Sequence, residues 1–239
     1  MKLRILACLL TMTAGLPVVA IAGPKFQPPK GCTGFLTVQM HGCIVSNHYT
    51  CPGDAQGVKW RVDLNQDGPF FVSKIDDETQ WLETYDIGAK THEVLVQPSV
   101  KPASFSQLIK TGRNDYDFIT VTDDGKREHV TGYDKLTGVS KVVDGVKLEE
   151  SEFVSQAVGD DGTLLWRSSG NEMISREMRI FLAGKGIWQD PNGKTPFDNM
   201  PVVMRTPGQT GFFAAQPEFD CNTVMSQLTL PPALEGVIQ

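Results

Sequence analysis

The sequence predicts a mainly β protein: an antiparallel meander forming a curved sheet, half-barrel or barrel, with one short helix and two disulfides. Three observations carry this expectation. First, the pairs Asp67-Gly68, Asp124-Gly125, Asp144-Gly145 and Asp161-Gly162 punctuate stretches rich in Val, Ile, Phe, Trp and Thr. A two-residue hairpin turn needs φ > 0 at its centre, which Asp tolerates and Gly adopts freely. The last three pairs lie about one hairpin apart, as in a meander. Second, residues 58–64 alternate, with Val58, Trp60, Val62 and Leu64 on one face and Lys59, Arg61 and Asp63 on the other. That period of two marks a half-buried strand. Third, Cys32, Cys43, Cys51 and Cys221 follow an export-like N-terminus, where an even count suggests two disulfides.

Residues 1–22 read as a signal peptide. Lys2 and Arg4 form a basic start, 5–16 is largely apolar, and Ala20-Ile21-Ala22 is a small-residue cleavage site. Too little apolar sequence precedes Cys8 for a lipoprotein signal. No other apolar run approaches the roughly 18 residues of a membrane helix, so no integral membrane segment is expected after cleavage. Residues 23–239 are expected to form a single β-rich domain. It comprises a disulfide-clipped N-terminal segment (23–57), the β meander (58–195) and an irregular C-terminal wrap (196–239). The formal charge of −6 becomes −8 once Lys2 and Arg4 are removed. That balance disfavours nucleic acid, which demands a basic face, and anionic lipid headgroups equally. The expected location is periplasmic or secreted.

The elements follow in order. Residues 23–31 (GPKFQPPKG) are an extended lead-in, and 35–40 (FLTVQM) has strand composition. The short polar stretch between Cys43 and Cys51 reads as a clipped loop. Four cysteines allow three pairings, and sequence does not choose among them. The preferred set is Cys43–Cys51 as a local clip with Cys32–Cys221 as a long staple; Cys32–Cys43 with Cys51–Cys221 stands beside it. Residues 58–64 and 69–75 (PFFVSKI) form a hairpin, and 81–85 and 94–96 are further strands. Residues 104–111 (SFSQLIKT) predict the one helix, with Ser104 as N-cap, Phe105, Leu108 and Ile109 on one face, and Gly112 as its stop. The meander then runs through 116–122, 128–133, a turn at Thr137-Gly138, 140–143, 146–158, 164–168, 178–182 and 187–188. A final turn is expected at Pro191-Asn192-Gly193. The uncharged end, 228–239 apart from Glu235, is expected to fray.

Motifs for chemistry are weak. Residues 63–68 (DLNQDG) match the first half of a calcium loop, but its twelfth position is Lys74 where a bidentate Glu belongs. His41, Cys43, His48 and Cys51 have zinc-like or copper-like chemistry, yet an oxidised cysteine offers no thiolate, so no metal is expected. No G-x-S-x-G elbow and no phosphate-cradling glycine loop occur, and no cofactor is expected. His92 and His129 read as exposed strand residues. Asp76-Asp77, Asp123-Asp124, Glu149-Glu150 and Asp160-Asp161 could supply a two-carboxylate hydrolase, but most sit at turns or strand ends, where solvated charge is the plainer reading.

The aromatic residues are more suggestive. Trp60, Phe71, Trp81, Trp166, Phe181 and Trp188 fall on strand candidates. They either fill an ordinary core or line a concave face that accepts an apolar ligand, since barrel mouths and sheet concavities are favoured pocket sites. Met173 and Met178 could adapt such a site.

Residues 32–54 (CTGFLTVQMHGCIVSNHYTCPGD), 68–75 (GPFFVSKI) and 131–138 (TGYDKLTG) resemble a group of exported alphaproteobacterial proteins with no assigned function, through most of the mature chain. That resemblance transfers no catalytic residue. The meander with one helix behind a signal peptide is also similar in architecture to periplasmic lipoprotein and lipid carriers, which hold acyl chains in an unclosed β-barrel. The expected function is a non-enzymatic envelope protein binding a hydrophobic or amphipathic small molecule or lipid. A secreted hydrolase with a carboxylate or histidine site, and a structural or protein-binding module, are the alternatives.

Overall fold

The computed structural model describes residues 24–221; the signal sequence, Cys8 and the 228–239 tail lie outside them. The described chain forms β1 (Thr33–Met40), β2 (Ile44–Thr50), β3 (Lys59–Asn65), β4 (Gly68–Ile75), β5 (Trp81–Asp86), β6 (Thr91–Lys101), α1 (Phe105–Thr111), β7 (Arg113–Thr122), β8 (Arg127–Val143), β9 (Val146–Val158), β10 (Leu164–Ser175), β11 (Ile180–Leu182), β12 (Lys185–Asp190), β13 (Gly193–Asp198) and β14 (Pro201–Arg205). Strands pair antiparallel with their sequence neighbours in one sheet, ordered β13-β12-β10-β9-β8-β7-β6-β5-β4-β3-β2-β1-β14, with β11 beside β10. Only residues 199 and 200 link the two edge strands, yet no ladder joins them, and the sheet stays unclosed.

Asp144-Gly145 is the two-residue turn that its composition implies. Val143 pairs with Val146, and φ is 46° at Asp144 and 85° at Gly145. Around the second and fourth Asp-Gly pairs the loop is one residue longer: Thr122 N–H donates to Lys126 O and Gly159 N–H to Thr163 O, both at 2.9 Å. In the first hairpin Asn65 pairs with Gly68, so the turn is Gln66-Asp67 and Gly68 opens the return strand.

The expected turn at Thr137-Gly138 is instead a bulge in one long strand. β8 runs through it, with a register shift between Leu136 and Ser140 and φ 85° at Gly138. Residues 137–139 stand opposite the single residue Glu150, and such an insertion with a left-handed glycine bends a strand without ending it.

The expected loop between Cys43 and Cys51 is strand β2. Its polar residues find partners across the ladders: Thr37 Oγ1 donates to Asn47 Oδ1 at 2.7 Å, and Asn47 Nδ2 to Ala214 O at 2.8 Å. This overturns both pairings weighed from sequence. An extended β2 holds Cys43 and Cys51 more than roughly 20 Å apart, and β1 separates Cys32 from Cys43 likewise. Instead Thr33 pairs with Thr50, which sets Cys32 beside Cys51, and Cys43 bonds Cys221. The C-terminal segment is tied back to the N-terminal hairpin as expected.

The irregular wrap also begins later than composition implies, because 193–198 and 201–205 are β13 and β14. Pro196 and Pro201 are tolerated there since both strands are sheet edges, where a missing N–H costs no ladder bond. Residues 206–221 then cover one face of β1–β3. Phe213, with Phe26, packs on Val45, Tyr49, Val62 and Leu64, and Phe213 N–H donates to Thr37 Oγ1 at 2.7 Å.

Helix α1 forms where the sequence places it. Gln107 N–H donates to the Ser104 hydroxyl oxygen at 3.1 Å, and Gly112 closes the helix at φ 79°. Phe105 and Leu108 pack on Ile174, Leu136 and Phe181.

Directly opposite residues of an antiparallel ladder share a face. By that rule Phe118, Val130, Ala157 and Trp166 lie side by side on one face of β7–β10. Trp81 of β5 contacts both Phe118 and Trp166 with its ring, although β6 to β9 lie between β5 and β10 in the sheet. The sheet therefore curls toward this face, which is concave.

Candidate functional site

Three tryptophans form a continuous stack on the concave face. Trp166 lies between Trp81, at 6.4 Å between ring centroids, and Trp188, at 5.2 Å, with interplanar angles of 26° and 18°. Phe118 meets Trp81 edge-on at 5.4 Å. Beneath the stack lies an apolar cluster of Leu95, Ala103, Tyr116, Phe118, Val130 and Ala157, with Leu82 and Leu165 against it. Trp81 remains 37% exposed and Trp188 39%, which is high for rings of this size on an inward face. A filled core would bury them.

Beside the stack, a cleft of about 700 Å³ opens between the β5–β6, β7–β8 and β9–β10 hairpins. Its floor includes Leu165, and its walls carry Glu93 and Glu128. Glu93 pairs with Thr122 and Glu128 with Thr120, so both carboxylates share the concave face. Trp166 Nε1 donates to Glu128 Oε2 at 3.1 Å, and Thr120 Oγ1 donates to Glu93 Oε2 at 3.2 Å. Burial pushes Glu93 above the ordinary carboxylate range, and the charge of Glu128 pushes the same way; the Thr120 hydroxyl opposes them. The basic side chains of the rim are already engaged: His92 with Asp123 at 2.9 Å, Lys126 with Asp124 at 2.7 Å and Arg127 with Asp160 at 3.8 Å.

A second polar group lies elsewhere on the same face. Asp134 stands opposite Phe153, and Glu172 opposite Ser151. Desolvation raises Asp134 to about 7, and desolvation with repulsion from Asp134 raises Glu172 to about 8, while Arg61 opposes the latter. The Ser151 hydroxyl is buried with no hydrogen-bond partner among the described residues, and the buried Ser155 hydroxyl lies against the Tyr116 phenol. Two carboxylates and these hydroxyls thus share an under-solvated patch. Such groups hold protons to neutral pH because ionising both would leave two uncompensated charges side by side.

On β2 and β3, Ser46, His48 and Asp63 meet through ladder register. The Ser46 hydroxyl donates to Asp63 Oδ1 at 2.6 Å and lies 3.3 Å from His48 Nε2. In a nucleophilic triad the imidazole takes the serine proton. Here the carboxylate takes it, and burial, reinforced by Arg61, lowers His48 to about 3. The row is therefore structural. No sequence signal shows it, because Asp63 reaches Ser46 only through strand pairing.

The six expected ligand-binding aromatics divide. Trp81, Trp166 and Trp188 come together. Trp60 lies on the opposite face, stacked on Tyr49 at 6.3 Å and capped by Lys74 at 4.9 Å, with its Nε1 donating to Asp54 at 2.7 Å. Phe71 shares the face of Asp63 and lies under Arg61 at 5.0 Å. Phe181 packs on the Phe105 ring at 5.7 Å. Met173 sits in a buried cluster with Leu36, Val38 and Leu148.

The calcium-like string does not converge, since Asp63 turns to Ser46 while Asn65 Oδ1 accepts from the Asp67 N–H at 2.8 Å. His41 pairs with Asp220 at 2.6 Å and His129 with Asp117 at 2.7 Å. The turn acid Asp124 is held down to about 2 by Lys126 and Thr122.

Glu93 and Glu128 carried no signal in the sequence. Each reads as an ordinary polar strand position, and only the curl of the sheet sets them in one cleft. No family model, curated protein or solved structure matches this chain.

Proposed function

We propose that this chain is an exported, non-enzymatic envelope protein that binds a hydrophobic or amphipathic ligand on the concave face of its sheet. One observation carries the reading: the Trp81–Trp166–Trp188 stack keeps its outer rings more than a third exposed beside a cleft of about 700 Å³. Ligand sites combine an apolar lining with a few placed polar groups, and the stack with Glu93 and Glu128 has that composition. Two disulfides support a periplasmic or secreted location. Among the described residues no helix is long and apolar enough to cross a membrane.

Native mass spectrometry of the exported protein, intact and reduced, tests this. A co-purifying apolar molecule is expected, together with quenching of tryptophan fluorescence by alkyl-chain ligands that strengthens with chain length. Trp81→Ala with Trp188→Ala should weaken that binding at least about tenfold, since each ring supplies a large apolar surface. An empty protein whose fluorescence ignores chain length would refute the reading.

A second reading is a secreted hydrolase. It is favoured by the pairing of Glu93, which burial holds above the ordinary carboxylate range, with Glu128 in the same cleft. Turnover of a glycoside, lost in Glu93→Gln, would select it over a carrier.

A further inference from the structure

Resting on the amphiphile-binding reading, we propose that the polar end of the ligand is a cation, an ammonium or guanidinium group, held between Glu93 and Glu128 where the cleft meets the tryptophan stack. The charge inventory of the cleft points there. His92, Lys126 and Arg127 each face an aspartate of the rim. Among the described residues Glu93 and Glu128 have hydrogen-bond donors, Thr120 and Trp166, but no cation within ion-pair distance. The remaining basic residue of the lining, Lys90, is exposed at the β5–β6 end. The inner wall therefore offers two uncompensated carboxylates, and carboxylates accept hydrogen bonds without donating.

Their surroundings select against other headgroups. An anion would meet two like charges in a partly desolvated site. A neutral polyol could hydrogen-bond but would leave the repulsion between the carboxylates in place. A monocation relieves it. Glu93 faces Thr120 from β7, Glu128 from β8, Asp86 from β5 and its neighbour His92. Burial and the charge of Glu128 hold it above the ordinary carboxylate range, and a cation placed between the two carboxylates favours its ionised form. Cation affinity must then rise with pH through the raised range of Glu93, whereas the affinity for a neutral amphiphile stays flat.

The test compares dodecyltrimethylammonium, whose charge is permanent, with dodecyl maltoside, both below micelle-forming concentrations, by tryptophan fluorescence on the full exported chain. Wild type should prefer the ammonium by about tenfold or more, with a preference that salt erodes and rising pH strengthens. In Glu93→Gln with Glu128→Gln the preference should vanish. Gln still offers an acceptor to Trp166, and a cooperative urea transition with the wild-type slope is the folding control. Equal affinity of the wild type for both ligands would overturn the cation assignment and leave the amphiphile reading standing. Binding of neither would overturn both. A maltoside preference that survives in the double variant would place a sugar-type headgroup there instead.

Discussion

Trp166 Nε1 donates to Glu128 Oε2 across 3.1 Å, joining the middle ring of the tryptophan stack to the wall of the acidic cleft. The apolar and polar halves of the candidate site are thereby one unit. Trp166→Phe keeps a stacked ring and removes the donor, and should lower the unfolding free energy by about 1–2 kcal/mol, toward the low end for a hydrogen bond to an ionised group because the cleft admits water. Glu128→Gln keeps an acceptor and should cost less. Urea midpoints at unchanged slope measure both; an equal cost for the two variants would show that the bond does not couple stack to cleft.

The buried acids set a pH dependence of definite sign. Asp134 and Glu172 are raised in the folded state, to about 7 and about 8. Between the ordinary carboxylate range and those values the folded chain binds more protons than the unfolded one, so their contribution is full at low pH and is lost as pH rises through neutrality. His48 acts oppositely. Lowered to about 3, it contributes stability above its ordinary value near 6.5 that fades as pH falls toward 3. Asp134→Asn with Glu172→Gln should remove the decline that runs from the ordinary carboxylate range up to about 7 and about 8, and leave the contribution of His48 in place. A double variant that keeps the wild-type slope across that window in urea titrations would refute the assignment.

The two disulfides should differ in weight. Cys43–Cys221 spans 178 residues and Cys32–Cys51 spans 19. In the chain-entropy picture the first contributes about 5 kcal/mol and the second about 3 kcal/mol. Paired Cys→Ser variants compared by urea unfolding should show Cys43→Ser with Cys221→Ser as the more destabilised. That variant also releases the covering segment, so proteolysis after Phe213 should rise in it alone.

Gly145 tests the turn chemistry. At φ 85° with open space around it, Gly145→Ala should cost about 1–2 kcal/mol from backbone strain alone. Gly53→Ala, with nothing nearby and no left-handed φ, should be close to neutral. Similar midpoint shifts for the two variants would contradict a left-handed turn at Asp144-Gly145.

Much of the fold was legible. The cap at Ser104 and the stop at Gly112 bracket α1 as predicted, because capping depends on residues a few positions apart. The alternation of 58–64 likewise marks β3. Period-2 reading could not say which face is concave, and here both faces of β3 are covered: Val62 and Leu64 by the C-terminal segment, Asp63 and Arg61 by the sheet's own curl. That is why Trp60, which shares a face with Val62, lies away from the other tryptophans.

The sequence by itself determined that this chain is an antiparallel meander with one short helix and an oxidised cysteine set, since turn geometry, side-chain alternation and helix capping are local. Only the tertiary structure decided which aromatics stack, which carboxylates share a cleft and which cysteines bond. Each of those depends on distances across strands. Cys43 and Cys51 are near in sequence yet held apart by an extended strand, while Trp81 and Trp166 are far apart in the ladder yet meet because the sheet curls.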